Sequence, residues 1–157
     1  MYKQTHLAKT RLITGLTLAF CLFYALTCQA AEFLTVSKDN VNVRKGPGTQ
    51  HPVVMELFEG WPLKVLSKKG DWYEIVDYEN DKGWIHSSLV RKNDTVIVNV
   101  NKTGNMRSGP GKNNPVVAEV ERGVVLTRVS SKDKWVKVKH SQGTVGWIYQ
   151  TLLWPQK

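Results

Sequence analysis

The sequence predicts an all-β protein made of two small tandem β-barrels that follow an N-terminal signal peptide. One observation is a repeat: "NVRKGPGTQHPVV" at Asn42–Val54 returns sixty-three positions later as "NMRSGPGKNNPVV" at Asn105–Val117. The other is that both copies consist of short runs rich in Val, Ile and aromatic residues, with turn residues between them and no sustained helical period. Strands this short, in about sixty residues, bury a core only by curling into a barrel.

Residues 1–30 have the layout of a secretory signal peptide. Lys3, Lys9 and Arg11 precede the apolar stretch from Leu12 to Leu26, and no acidic residue occurs before Glu32. Small residues at the cleavage positions place the cut after residue 30. An uncleaved anchor is one alternative. A lipoprotein cut before the second cysteine is another, and the order of residues in "ALTC" disfavours it.

Both cysteines, Cys21 and Cys28, lie in the segment that this cut removes. The remaining 127 residues (157 minus 30) then contain neither a thiol nor a disulfide. We predict that residues 31–92 form the first barrel and residues 93–157 the second. The join near Arg91–Asp94 is so short that we expect the barrels to touch.

Residues Arg44–Val90 of the first copy align without a gap with the second copy, sixty-three positions later. Because there are only two copies and each has its own turns, they indicate tandem domains rather than a solenoid. The identities include Arg44 with Arg107, Gly46-Pro47-Gly48 with Gly109-Pro110-Gly111, Pro52-Val53-Val54 with Pro115-Val116-Val117, Gly60 with Gly123, Trp72 with Trp135, and Gly83-Trp84-Ile85 with Gly146-Trp147-Ile148.

Hydrophobic alternation predicts six strands in the first copy, with counterparts in the second. They are Leu34–Val36, Val41–Arg44, Val53–Leu57, Leu63–Lys68, Trp72–Asp77 and Gly83–His86.

The same alternation separates the inside of the barrels from the outside. In "WVKVKH", Val136 and Val138 share the inner face, so Trp135 and the lysines beside it face solvent. The equivalent pattern around the Gly-Trp-Ile steps points Ile85 and Ile148 inward.

These residues resemble the bacterial Src-homology-3-like (SH3-like) domain, a small barrel of exported envelope proteins. The family pattern is an Asn-x-Arg-x-Gly-Pro loop, a Val-rich strand, a Gly-Asp-Trp-Tyr turn and a closing Gly-Trp-Ile. It matches Asn42–Gly48, Val53–Leu57, Gly70–Tyr73 and Gly83–Ile85, and most of it recurs in the second copy. The resemblance covers essentially the whole mature chain. It implies the SH3-like barrel fold and an association with wall-hydrolase domains that such barrels hold to peptidoglycan.

The resemblance extends to the aromatic groove of the eukaryotic relatives, which bind proline-rich peptides. Trp72 stands at their groove tryptophan, His86 at a groove proline and Leu89 at a groove tyrosine. The tyrosine-rich opening motif, the proline and the last tyrosine are missing, so proline-rich peptide binding is not expected.

Charge is shared unevenly between the copies. Residues 31–92 contain nine Lys or Arg and nine Asp or Glu, whereas residues 93–157 contain ten and four, a net charge of +6. A basic half in an exported protein favours an anionic envelope partner such as wall polymer, and the export signal argues against nucleic acid. The alternative is that the extra lysines serve only solubility.

No group of residues in the mature sequence supplies the roles that catalysis requires, so we predict that the protein is not an enzyme. Without a cysteine, a papain-like wall hydrolase is excluded. The histidines His51, His86 and His140 lack the short spacing of metal ligands, and we expect neither a metal nor a cofactor.

Binding is the remaining function, and aromatic and basic residues are its candidates. The tryptophans beside a glycine, Trp84 and Trp147, fit a packing role better than a contact role. An arginine at the base of the Gly-Pro-Gly loop has two readings, because it can clamp an anion or hold the carbonyl groups of the loop. The predicted ligand-binding residues are Trp72, His86, Trp135, Lys137, Lys139, Tyr149, Arg44 and Arg107.

The sequence thus predicts an exported, non-catalytic binding protein of the periplasm, cell wall or exterior, with no membrane span once the signal peptide is cleaved. Its expected partner is peptidoglycan or another anionic envelope polymer, bound mainly by the basic second barrel. The alternative is an interaction scaffold that recruits or regulates an envelope enzyme.

Overall fold

The computed structural model describes residues 31–92 and 94–156, which form two seven-stranded antiparallel sheets. The predicted signal peptide, residues 1–30, lies outside the described residues. The first sheet contains β1 (Phe33–Val36), β2 (Val41–Arg44), β3 (Val53–Leu57), β4 (Pro62–Lys69), β5 (Trp72–Val76), β6 (Lys82–His86) and β7 (Val90–Lys92). The second contains β8 (Thr95–Val98), β9 (Thr103–Arg107), β10 (Val116–Glu121), β11 (Val125–Lys132), β12 (Trp135–Lys139), β13 (Val145–Tyr149) and β14 (Leu153–Trp154).

The second sheet repeats the first strand for strand. The order is β3-β2-β6-β5-β4-β1-β7 in one and β10-β9-β13-β12-β11-β8-β14 in the other. Short 3₁₀ helices, Ser87–Leu89 and Gln150–Leu152, lead into the last strand of each sheet. The prediction of an all-β protein with two tandem barrels is therefore confirmed.

The six predicted strands of the first barrel are present, and their ends differ by one residue at most. The strand predicted as Trp72–Asp77 ends at Val76, because the Asp77 carboxylate accepts hydrogen bonds from the backbone N–H groups of Glu79 and Asp81 and so begins a turn. Burial raises the pKa of this carboxyl group above its usual value, although the two N–H bonds oppose that shift. β7 was not predicted, since its three residues gain strand structure only by pairing with β1.

Each barrel has its own core, and the residues predicted to point inward lie in it. Ile85, Ile148, Val136 and Val138 are buried. The first core is formed by Val36, Val41, Val43, Leu57, Leu63, Ile75 and Ile85, and the second by Val96, Val98, Met106, Val120, Leu126, Val136, Val138, Ile148 and Leu153.

The glycine of each Gly-Trp-Ile step is required by close packing in the core. A Cβ atom on Gly146 would lie 2.3 Å from Cγ of Met106 and 3.0 Å from the carbonyl oxygen of Arg107. A Cβ atom on Gly83 would lie 2.4 Å from Cγ1 of Val43. Only glycine lets β13 and β6 approach these strands so closely.

The two barrels are joined through a buried contact between strands β1 and β8. The Thr95 hydroxyl donates to the carbonyl oxygen of Gly60 at 2.7 Å, and the Thr35 and Thr95 hydroxyl oxygens are 2.9 Å apart. Because a hydroxyl has one hydrogen, Thr35 must be the donor to Thr95. Both threonines are buried, so this relay crosses the boundary between the barrels away from water.

Apolar and aromatic contacts surround this relay. Ile97 is fully buried although it lies on the opposite face of β8 from the core residues Val96 and Val98. The ring of Phe33 in the first barrel meets that of Trp154 in the second edge-to-face, with centroids 5.8 Å apart. Strands β1 and β8 are thus covered on both faces, and the expectation that the barrels touch agrees with the structure.

We expect Gly146→Ala to lower the free energy of unfolding by about 1–3 kcal/mol, because the added methyl group overlaps Met106 and the β9 backbone. Gly104→Ala is the matched control in the same barrel, since its Cβ atom would make only ordinary contacts at 3.6 Å or more. Chemical denaturation of the two variants measures the difference. Equal stabilities would contradict the packing argument.

We expect Thr95→Val to lower the free energy of unfolding by about 1–3 kcal/mol, because it removes two buried hydrogen bonds, one to the Gly60 carbonyl oxygen and one to the Thr35 hydroxyl group. Thr103→Val on an exposed strand position is the control. Thermal unfolding followed by tryptophan fluorescence provides the measurement. A Thr95 variant as stable as the control would show that the relay does not hold the barrels together.

Candidate functional site

Each barrel has one groove at the same place, bounded by the Gly-Pro-Gly loop, the start of the fifth strand of the barrel and the 3₁₀ helix. The cavities measure about 290 Å³ in the first barrel and about 430 Å³ in the second. Six aligned positions line both of them. They are Asn42, Arg44, Thr49, Trp72, His86 and Leu89 in the first groove, and Asn105, Arg107, Lys112, Trp135, Tyr149 and Leu152 in the second.

A pair of aromatic rings forms the wall of each groove. Strand register places Trp72 opposite His86 and Trp135 opposite Tyr149. The rings meet edge-to-face, with centroids 5.2 Å apart in the first pair and 5.4 Å in the second. Both tryptophans are half-buried, so part of each indole face stays open to the groove.

His86 is held by the residue two positions later. Its Nδ1 accepts a hydrogen bond from the backbone N–H of Ser88 at 3.3 Å and lies 2.8 Å from the Ser88 hydroxyl oxygen. Because a backbone N–H only donates, Nδ1 is the acceptor, and the proton of the neutral ring is on Nε2. His86 therefore brings an N–H donor to its groove, whereas Tyr149 makes no such capping bond and brings a hydroxyl group.

The arginines at the base of the loops hold the loops closed. Nη1 of Arg44 donates to the carbonyl oxygens of Thr49 at 3.0 Å and of His51 at 2.8 Å. Nη1 of Arg107 donates to the carbonyl oxygen of Asn114 at 2.8 Å. These bonds support a structural role for the two arginines, which also line the grooves.

Two loop glycines lie close to a side chain from the other end of their loop. A Cβ atom on Gly46 would lie 2.8 Å from the His51 ring, and one on Gly109 would lie 2.7 Å from Oδ1 of Asn114. The loops are thus tight corners that carry one wall of a groove.

Basic residues, without any carboxylate, complete the lining of each groove. Lys38 joins Arg44 in the first, and Lys112 joins Arg107 in the second. The charge difference between the barrels is therefore not a difference between the grooves. Neither Lys137 nor Lys139 lines the second groove, and Lys139 lies in a separate cleft between the barrels.

Six of the eight predicted binding residues therefore come together, three in each groove. Sequence analysis missed Lys38, Thr49, Lys112 and Leu152 as lining residues. The repeat held a signal for two of them, because Thr49 and Lys112 occupy the same position after the Gly-Pro-Gly loop.

The described residues contain no cluster of three or more His, Cys, Asp or Glu side chains that could hold a metal ion. Within the same part of the chain, no helix is long and apolar enough to cross a membrane.

The family model described as "Bacterial SH3 domain" matches residues 37–92 and again residues 100–155. The chain belongs to the bacterial SH3 domain family. The resemblance expected from the repeated motifs is confirmed, and the two grooves described above are equivalent parts of two bacterial SH3 domains.

Curated relatives of these tandem SH3 domains are larger proteins. The chain is 27% identical over 139 residues to the "Putative N-acetylmuramoyl-L-alanine amidase YrvJ" of Bacillus subtilis, a match that covers 82% of this chain and 26% of that protein. It is 36% identical over 55 residues to the "Probable cell wall amidase LytH" of Staphylococcus aureus, covering 32% of this chain and 19% of that protein. The chain thus spans about a quarter or less of these two relatives.

Solved structures that match the chain include an NlpC/P60 family protein from Bacillus cereus and NlpC1 from Trichomonas vaginalis. The first is 15% identical with a TM-score of 0.37, and the match covers 77% of this chain and 55% of that one. The second is 13% identical with a TM-score of 0.35, covering 82% and 47%.

We expect Arg44→Met to open the first loop, because the substitution removes both bonds to loop carbonyl groups while keeping an apolar side chain. Stability should fall by about 1 kcal/mol, and the backbone N–H groups of residues 45–51 other than Pro47 should exchange faster with solvent. Lys45→Met, which removes a neighbouring exposed charge, is the control. Unchanged exchange in the loop would contradict a clamping role for Arg44.

Proposed function

We propose that this chain is an exported, non-catalytic cell-envelope protein whose two SH3 domains bind peptidoglycan or another anionic surface polymer. The observation that carries this proposal is the pair of equivalent grooves. Each offers a half-buried tryptophan with an aromatic partner, two basic residues and no carboxylate. Such a repeated site suits a ligand that is itself a repeating chain.

The chemistry of the grooves supports a polymer of sugars and peptides. An open indole face stacks against the apolar face of a sugar or of a peptide unit. The basic residues of each groove attract carboxylate or phosphate groups on the same chain. The Nε2–H of His86 and the hydroxyl of Tyr149 add one neutral hydrogen-bonding group to each groove.

The relatives support association with the cell wall. The Bacillus protein is named as a putative N-acetylmuramoyl-L-alanine amidase, and the Staphylococcus protein as a probable cell wall amidase. This chain aligns with only part of each, and SH3 domains account for most of its described length. A wall-binding role in the exported protein is consistent with both observations.

The non-catalytic part of the proposal rests on the contacts of Ser88 and His86. A serine next to a histidine suggests a nucleophile and its base, but Nδ1 of His86 also accepts the Ser88 backbone N–H, which is the geometry of a helix cap. Among the described residues no carboxylate bonds to the other ring nitrogen, as a catalytic triad requires.

A second candidate function is a scaffold that recruits or regulates an envelope enzyme. It is favoured by apolar side chains left exposed at the same positions of both barrels. Val53 and Val54 on β3, and Val116 and Val117 on β10, are all close to half exposed on strands at the edge of their sheets.

Co-sedimentation with isolated peptidoglycan tests the polymer proposal. We expect Trp72→Ala and Trp135→Ala each to weaken binding roughly fivefold, and the double variant to weaken it further, because each removes one stacking surface. Trp72→Phe and Trp135→Phe keep a ring and should retain most of the affinity. Binding should also weaken as salt is raised from low to high concentration.

Two outcomes contradict the polymer proposal. One is native-like binding by the double alanine variant after circular dichroism has shown that it is folded. The other is no co-sedimentation of the folded native protein with isolated peptidoglycan at low salt, which leaves the scaffold as the remaining candidate. The two single tryptophan variants also test the prediction that the second barrel contributes more to polymer binding than the first. If so, Trp135→Ala weakens binding more than Trp72→Ala.

A further inference from the structure

A third cleft lies between the two barrels and belongs to neither groove. Its volume is about 570 Å³. One wall is the turn Phe58–Gly60 of the first barrel together with Arg91, which is paired with Asp94. The other wall comes from the second barrel and contains Lys139, His140 and Ser141 at the end of β12. Pockets of this size at domain junctions are frequent ligand sites. Because its walls come from different barrels, the cleft exists only in the tandem.

The first wall presents an aromatic ring on a rigid support. Phe58 is 46% exposed, and its ring stands edge-to-face on Trp61 with centroids 4.8 Å apart. Trp61 in turn meets Tyr78 at 5.6 Å, and the guanidinium of Arg122 from the second barrel lies 5.1 Å from the Tyr78 ring centroid. The exposed phenyl ring is therefore fixed in place by a stack anchored on the opposite barrel.

Beside this ring the same wall carries a hydrogen-bond acceptor. Glu59 lines the cleft, and its backbone N–H donates to Oδ1 of Asp39 at 2.9 Å, which fixes the turn. Its carboxylate makes no hydrogen bond or ion pair with the rest of the described chain in this structure. An ionised carboxylate only accepts hydrogen bonds, so on this wall it favours ligand hydroxyl groups as partners.

The second wall carries donors. Lys139 is exposed at the end of β12. Nδ1 of His140 accepts the backbone N–H of Gln142 at 3.2 Å, so the neutral ring bears its proton on Nε2. The cleft thus sets a ring and an acceptor on one side against an ammonium group and an imidazole on the other.

We propose that the cleft between the barrels binds a saccharide unit that carries a carboxylate. The sugar ring stacks on Phe58, its hydroxyl groups donate to Glu59, and its carboxylate pairs with Lys139. This inference deepens the proposed function and rests on it, because it assigns the glycan of the envelope polymer to the cleft and leaves the aromatic grooves to other parts of that polymer.

The proposal is tested by titrating the purified protein with two peptide-free oligosaccharides of equal length. One alternates N-acetylglucosamine with N-acetylmuramic acid and carries carboxylates, and the other contains N-acetylglucosamine only. We expect the acidic probe to shift the amide resonances of residues 58–60 and 139–141. Phe58→Ala should weaken both probes roughly fivefold, whereas Lys139→Gln should weaken the acidic probe alone.

Matched variants keep the test specific. Lys134→Gln removes a charge from the same barrel away from the cleft and should bind like the native protein. Lys139→Arg should restore most of the affinity for the acidic probe. If the alanine variant is unstable, Phe58→Leu replaces it, because leucine keeps an apolar side chain at this position. Since leucine has no ring, this variant should bind both probes more weakly than the native protein.

The outcomes separate this proposal from the proposed function. If peptidoglycan binding depends on the tryptophans but neither probe shifts the resonances of the cleft, saccharide binding in the cleft is wrong. Polymer binding in the grooves is then still supported. Native-like affinity of Phe58→Leu and Lys139→Gln for the acidic probe also overturns saccharide binding in the cleft. A third outcome is that the double tryptophan variant still binds peptidoglycan like the native protein and still shows the resonance shifts in the cleft. That outcome supports saccharide binding in the cleft and contradicts polymer binding in the grooves.

Discussion

The arrangement of the whole molecule depends on two short strands, β1 and β8, which are covered on both faces. A strand in a small barrel ordinarily has one face in the core and one in water. Here Thr35, Thr95 and Ile97 turn the second face into a contact between barrels, and the buried hydroxyl relay to Gly60 satisfies the polar groups enclosed there. Two barrels of marginal size thereby share one additional buried layer.

Together with that shared layer, the repeat gives the molecule cavities of two kinds. The aromatic grooves use positions that both copies have in common, so they are duplicated with the fold. The cleft instead uses positions where the copies differ: Phe58 aligns with Glu121, and Tyr78 with Ser141. Positions that the copies share therefore form equivalent grooves, and positions where they differ form a cleft that a single barrel lacks.

Much of the fold could be read from the sequence, because each signal was local. The Gly-Pro-Gly corners, the alternation in "WVKVKH" and the repeat indicated the strands and their faces. That Trp72 lies opposite His86 is known from the strand register of the structure. The positions of Lys137 and Lys139 could not be read in the same way. Alternation places a side chain on a face of a strand, but which surface that face meets depends on the curl of the sheet and on the neighbouring barrel. β7 was missed for a related reason, since it is defined by its partner strand and not by its own residues.

The burial of β1 and β8 on both faces also affects how these domains can be transferred from one protein to another. If one barrel were moved alone into another polypeptide, Thr35 or Ile97 would be exposed on a sheet face without its cover. The pair, rather than the individual barrel, is then the natural cassette for fusion. Engineers who graft these domains onto an enzyme would accordingly keep the short connection around residues 91–95 and attach new segments at the outer ends.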